Sequence, residues 1–241
     1  MTALAVAGLR KSYRGLVALD GMDLEVGHGE VHAIVGLNGA GKTTLMGSVV
    51  GQVELDSGQI TVLGHDRSDC RSSVWAKVGH FIEHPFAYPE LSVRENVVAA
   101  ARLHGVSATD ADRVADTWVS HFELDRWSDR RARTLSLGNT QRVGLACTFA
   151  HGPELLILDE PTNALDPAGV LLLRDAIVER ARNGAAVLVS SHHLDEVARI
   201  ADRISVVHAG RVIGGLDPNA IDLERAFFAM LHAFDAAALP S

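Results

Sequence analysis

Aromatic side chains make up only 5% of this 241-residue chain, and cysteine is scarcer still, with Cys70 and Cys147 alone. Two cysteines cannot build a disulfide framework, and the opening Met1-Thr2-Ala3-Leu4-Ala5 lacks the basic and apolar regions of a secretory leader. The expectation is a cytosolic protein with reduced thiols. No apolar run approaches the roughly 20 residues that span a bilayer, so the chain is not expected to cross a membrane by itself. Positive charge is also in deficit: 22 Lys and Arg against 30 Asp and Glu leave a formal charge of -8. That balance argues against an electrostatic grip on nucleic-acid phosphates, and no nucleic-acid partner is expected. Internal repeats and low-complexity tracts are missing too. What is present, 47% apolar and 22% charged residues, suits one well-cored domain.

Short β-branched runs alternate with helix-period segments, the pattern of an α/β protein with a largely parallel sheet. Residues 31–35, 155–158, 186–189 and 204–207 are apolar almost throughout, as strands buried on both faces are. Residues 4–9, 19–26 and 59–63 read instead as an antiparallel layer, with turns expected at Asp20-Gly21, Gly27-His28-Gly29 and Asp56-Ser57-Gly58. In the middle third, Ser92-Val93-Arg94-Glu95 is a capping-box sequence opening a helix that Gly105 stops, and Ser107 caps the next. Asp166-Pro167 starts a further helix that Asn183-Gly184 ends. From about residue 216 an Ala- and Phe-rich tail follows, with an apolar helical face around Phe227 and Phe228.

The strongest chemical signal is Gly36-Leu37-Asn38-Gly39-Ala40-Gly41-Lys42-Thr43, a full G-x-x-x-x-G-K-[ST] motif between a buried strand and a helix-period segment. Glycines let such a loop wrap tightly, so that backbone N–H groups and the helix N-terminus, through Thr44, face phosphates while Lys42 reaches the terminal ones. Thr43 is a candidate Mg2+ ligand. A second signal is Leu155-Leu156-Ile157-Leu158-Asp159-Glu160. A buried strand ending in two carboxylates delivers Asp159 to a metal and Glu160 to an attacking water. Nucleoside triphosphate hydrolysis is the reaction these two motifs share.

Asp159-Glu160-Pro161-Thr162-Asn163-Ala164-Leu165-Asp166 resembles the corresponding segment of ATP-binding cassette (ABC) ATPases. Leu135-Ser136-Leu137-Gly138-Asn139-Thr140-Gln141-Arg142 is similar to that family's signature loop, and Ser190-Ser191-His192 to its switch-histidine segment. The resemblance extends over nearly the whole chain. It implies a P-loop NTPase core of the RecA-like kind with an antiparallel β subdomain and an α-helical subdomain at about 86–151. On this basis residues 1–215 form the ABC ATPase domain and 216–241 a C-terminal tail. It further implies a homodimer or heterodimer with two ATP molecules at the seam, where Ser136 and the Gly138 N–H meet the partner's γ-phosphate. Tyr13 matches the position that stacks on adenine, and His192, not His193, matches the γ-phosphate sensor. A separate transmembrane permease would receive the work, holding the chain at the cytoplasmic face of the membrane.

The family pattern is broken in two places. Glu83 stands where a glutamine is usual, adding a full charge near Mg2+ and the γ-phosphate, and Leu137 and Asn139 replace signature residues. Glutamate with Ser-Leu-Gly resembles the branch serving antibiotic, bacteriocin and lantibiotic export or immunity, as does Phe86-Ala87-Tyr88-Pro89. Competing expectations are a soluble cassette ATPase without a permease and a non-hydrolysing ATP-binding regulator. His80-Phe81-Ile82-Glu83-His84 also fits a zinc-peptidase spacing, but it follows a strand pattern and runs into Pro85, against the single helix face that zinc ligation needs.

Overall fold

The computed structural model describes residues 1–83 and 87–238. In chain order these form strands β1 (Thr2–Tyr13), β2 (Leu16–Gly27) and β3 (Val31–Val35), helix α1 (Lys42–Val49), strands β4 (Ser57–Val62) and β5 (His65–Asp66), helix α2 (Ser72–Trp75) and strand β6 (Val78–Phe81). Helices α3 (Val93–Leu103), α4 (Ala108–His121) and α5 (Leu137–Phe149) follow. Then come β7 (Leu155–Leu158), α6 (Pro167–Arg182), β8 (Ala186–Ser191), α7 (Leu194–Ala198), β9 (Arg203–His208), β10 (Arg211–Leu216) and α8 (Leu223–Ala238).

The main sheet has the order β10-β9-β3-β8-β7-β6, parallel except for β10. Its central strands β3, β7 and β8 are buried at every position and apolar almost throughout, because both faces are covered. Leu156 and Leu158 face one core cluster with Val187 and Val189, while Leu155 and Ile157 face the other with Ala186 and Leu188. The first cluster lies under α3, α4, α5 and α6; the second lies under the antiparallel sheet β2-β1-β4-β5 and α1. Full burial of each such Leu or Val is worth about 1.5–3 kcal/mol, so these two layers dominate stability.

The expected caps are in place. Ser92 and Glu95 close a capping box on α3, Ser107 accepts from Asp110 N on α4, and Asp166 accepts from Gly169 N on α6. Two turn expectations are corrected. Asp20-Gly21 lies inside β2: Leu9 pairs with Met22 and Arg10 with Asp20, leaving Gly21 (φ 73°) as a bulge. The chain reverses instead at Arg14-Gly15, both at positive φ. Ser57 and Gly58 already belong to β4, and a Cβ on Gly58 would meet the Leu9 backbone at 2.7 Å. The tail helix α8 lays Leu223, Phe227 and Leu231 on the first core cluster and leaves Phe228 exposed.

The register lines up strand ends. Val35 pairs with Ser191, Leu158 with Val189 and Phe81 with Leu158, so the loops after β3, β6, β7 and β8 leave the same edge of the sheet. Nucleotide sites of open α/β sheets form at that edge.

Candidate active site

The loop after β3 wraps as its glycines require. Gly39 and Gly41 take φ of 81° and 110°, and a Cβ on Gly41 would lie 2.5 Å from the Ala18 carbonyl oxygen. Gly36 is confined differently: its Cβ would meet the Val207 carbonyl oxygen at 2.2 Å. Asn38, Gly39, Ala40, Gly41, Lys42, Thr43 and Thr44 line a cavity of about 200 Å³ together with Ala18 and Glu160. Lys42 is buried, and its Nζ donates to the Gly36 carbonyl at 2.7 Å and the Leu37 carbonyl at 3.4 Å. Its charge also stands 3.4 Å from Glu160 Oε1.

A chain of hydrogen bonds continues from this loop across the strand ends. Thr43 Oγ1 donates to Asp159 Oδ2 at 2.6 Å, and Ser190 Oγ donates to Asp159 Oδ1 at 2.6 Å. Ser190 Oγ in turn accepts from the Glu160 N–H at 2.8 Å. Glu160 adopts a left-handed backbone, φ 46°, which turns the chain sharply after β7. His192 then meets Glu160 Oε2 through Nδ1 at 2.7 Å and through its backbone N–H at 3.2 Å. Motif reading gave Ser190 no role of its own beside His192; it is a fully buried hydroxyl near the end of β8.

Glu83, also left-handed at φ 60°, joins Thr43, Asp159 and Glu160 around a second cavity of about 500 Å³. Leu137 and Gln141 of α5 and Ala164 complete that cavity. Hard oxygen donors are what Mg2+ prefers, and Thr43, Asp159 and Glu83 supply a hydroxyl and two carboxylates. Among the described residues no group of three or more His, Cys, Asp or Glu is placed to hold a metal.

Other sequence-predicted residues lie further out. Tyr13, at the hairpin tip, is 45% exposed with Lys11 Nζ 5.2 Å from its ring, and Ala18 rather than Tyr13 lines the phosphate cavity. Ser136 caps α5, accepting from Asn139 N at 3.4 Å, and Leu137 beside it is exposed. Gly138 packs against the segment after Pro161, where a Cβ would come within 2.9 Å of the Ala164 carbonyl oxygen. Asp166 Oδ1 receives buried Arg142 at 2.6 Å, which ties the same segment to α5 and, with the Gly169 N–H, holds the Asp166 carboxyl below its usual range. His80 lies on strand β6, not on a helix, while His84, Pro85 and Phe86 lie outside the described residues.

A parallel sheet with a glycine-wrapped loop after β3 and a Thr-Asp-Ser-Glu-His chain at its carboxyl edge defines a P-loop nucleoside triphosphatase. The family model described as ABC transporter matches residues 19–163, and the chain belongs to that family as an ATP-binding, ATP-hydrolysing subunit. It is 40% identical over 212 residues to a daunorubicin resistance ATP-binding protein of Streptomyces coeruleorubidus, covering 88% of this chain and 67% of that one. It is 36% identical over 212 residues to a lantibiotic transport ATP-binding protein of Streptococcus pyogenes, covering 87% and 89% respectively. A solved ATP-binding subunit of an ABC transporter superposes with a TM-score of 0.83 at 29% identity, covering 98% of both chains.

Proposed function

We propose that this chain drives export of a drug, antibiotic or peptide through a separate transmembrane permease, working as a homodimer or heterodimer of cassettes. The observation that carries the reading is the unbroken chain Thr43–Asp159–Ser190–Glu160–His192 beside the phosphate cavity. The names of the drug-resistance and lantibiotic relatives support the class of cargo. Among the described residues no helix is long and apolar enough to cross a membrane; in this reading the permease holds the chain at the cytoplasmic face.

In this reading Lys42 and the N–H groups from Gly36 to Thr44 bind the phosphates of ATP, with the dipole of α1 behind them. Thr43, Asp159 and Glu83 are the residues that would hold Mg2+, which would neutralise developing phosphate charge. Glu160 accepts a proton from, and orients, the attacking water, while His192 fixes the carboxylate's rotamer and registers the γ-phosphate. Ser136 and the Gly138 N–H serve the partner's phosphate, and Tyr13 stacks on the base. Residues 1–215 form the ATPase unit, with a helical subdomain near 86–151, and 216–241 an appendage carrying α8.

Mg-ATP hydrolysis by the purified chain tests the chemistry: steady phosphate release in wild type that falls to background in Glu160→Gln, with nucleotide binding kept, is expected. Co-purification from detergent-solubilised native membranes with ATP and vanadate tests the partner. A stoichiometric polytopic subunit is expected; soluble partners alone would make a permease-free cassette ATPase the better account.

A further inference from the structure

Directly behind the Ser190 that carries Asp159 and Glu160 lies a small cavity of about 20 Å³. Most of its wall is apolar, from Leu173, Ile177, Val189 and Val197. Besides Ser190 and Ser191 themselves, the polar residues Thr162, Arg174 and Glu196 line it. Thr162 Oγ1, Arg174 Nε and Glu196 Oε2 are each buried without a hydrogen-bond partner. Orphaned buried polar atoms are rare in folded proteins, and they are costlier when the group is ionised, as a guanidinium and a carboxylate are. Three of them on residues that line one void form a pattern with a simple resolution.

We propose that this cavity is the site of one structural water, and that Thr162, Arg174 and Glu196 act through it as positioning residues for hydrolysis. The positioning role rests on the function proposed above. A water molecule needs about 10–15 Å³ of such space and two to four polar partners. Here it accepts from Arg174 Nε–H, donates to Glu196 Oε2 and shares a third hydrogen bond with the Thr162 hydroxyl, so all three orphans are satisfied.

Its placement links the two segments that meet at the reacting groups. Thr162 follows Glu160 by two residues, and Glu196 lies on α7, four residues after His192. At the front the segments touch through the 2.7 Å bond between His192 Nδ1 and Glu160 Oε2. At the back the water closes the same loop, with Ser190 between front and back. Two tethers fix an angle that one leaves free, which is how a buried water sets the aim of the Glu160 carboxylate.

A high-resolution crystal structure of the wild-type chain, combined with steady-state kinetics of Thr162→Val and Thr162→Ser, tests this. Density for one water in the cavity is expected. Thr162→Val removes a partner without removing volume, and its kcat is expected to fall by about three- to tenfold with KM for ATP within about twofold. Thr162→Ser should restore kcat. A dry cavity overturns the site, whether or not the variants fold. An unchanged kcat in folded Thr162→Val, or a loss confined to KM, overturns the positioning role. A wild-type chain without any ATPase activity refutes the functional reading and the positioning role together, while the density still decides the site.

Discussion

His192 Nδ1 donates to Glu160 Oε2 across 2.7 Å, and the His192 backbone N–H reaches the same oxygen at 3.2 Å. The other carboxylate oxygen, Oε1, stands 3.4 Å from Lys42 Nζ. One carboxylate therefore lies between a residue of the phosphate loop and a residue at the end of β8. In this arrangement Lys42 is occupied by loop carbonyls and by Glu160, so incoming phosphate competes for a cation that is already partnered.

The first prediction follows from that competition. Glu160→Gln keeps the size of the side chain but removes the charge that holds Lys42 and the base that takes a proton. Its phosphate release should fall by at least about 100-fold, the range expected for loss of a general base. ATP affinity should stay equal or rise, because Lys42 is released to the phosphates. Phosphate release and equilibrium binding of a fluorescent nucleotide measure the two halves. A variant that loses both activity and binding would contradict the arrangement.

The loop glycines are separable by substitution. Gly36→Ala drives a Cβ to 2.2 Å from the Val207 backbone, which cannot move without displacing β9, whereas a Cβ on Gly39 meets nothing within 4 Å. Gly36→Ala should destabilise the fold by about 3 kcal/mol or more. Gly39→Ala should cost only the left-handed backbone strain, about 1–2 kcal/mol. Urea unfolding of the two variants checks the order, and equal losses would show that the loop is held by something other than Val207.

The difference between what the sequence showed and what it hid has a physical cause. Strands β3, β7 and β8 were legible because covering both faces makes them apolar almost throughout, and the loop after β3 because phosphate-directed N–H groups demand glycine at set spacings. Asp20-Gly21 misled because a bulge and a turn use the same left-handed glycine, and only the pairing of Leu9 with Met22 decides between them. Ser190 was hidden since a serine inside an apolar strand has no local signature. Its role arises from β7 lying beside β8. The cavity shared by Glu83, Leu137 and Asp159 depends on how α5 docks, a long-range property that no local pattern carries.

Glu83 supplies a third prediction. It lines one cavity with Thr43 and Asp159, so it adds a second carboxylate to the candidate metal site. Glu83→Gln keeps an oxygen ligand but lowers the local negative charge, which weakens attraction for a divalent cation. The Mg2+ concentration giving half-maximal ATPase activity should rise by about three- to tenfold, with little change in nucleotide affinity measured without metal. Titration of activity against Mg2+ decides it; an unchanged half-saturation would remove Glu83 from the metal site.

Acid sensitivity should come from a cluster away from the active site. His80, His104 and His151 line a cavity of about 200 Å³ between β6, the end of α3 and the residues after α5, where the rings of His104 and His151 stack at 3.8 Å. Burial, with the neighbouring His104 second, pushes His151 down from 6.5 to about 3, and burial also lowers His80 and His32. An imidazole depressed in the fold stays neutral there but takes up a proton in the unfolded chain once pH drops below 6.5. Stability is therefore fully present above that value and declines as pH falls below 6.5, by up to about 1.4 kcal/mol per pH unit for each such group, continuing to about 3 for His151. The aspartates held low by partners, such as Asp116 beside Arg94 and Asp166 beside Arg142, act only below their ordinary value of 3.8. The interval between belongs to the histidines. Urea midpoints at about pH 7.5 and about pH 5 should show a clear loss for the native chain and a smaller one for His151→Phe, which fills the site without a titrating group. Equal losses in the two proteins would assign the acid sensitivity elsewhere, to His32 or His80.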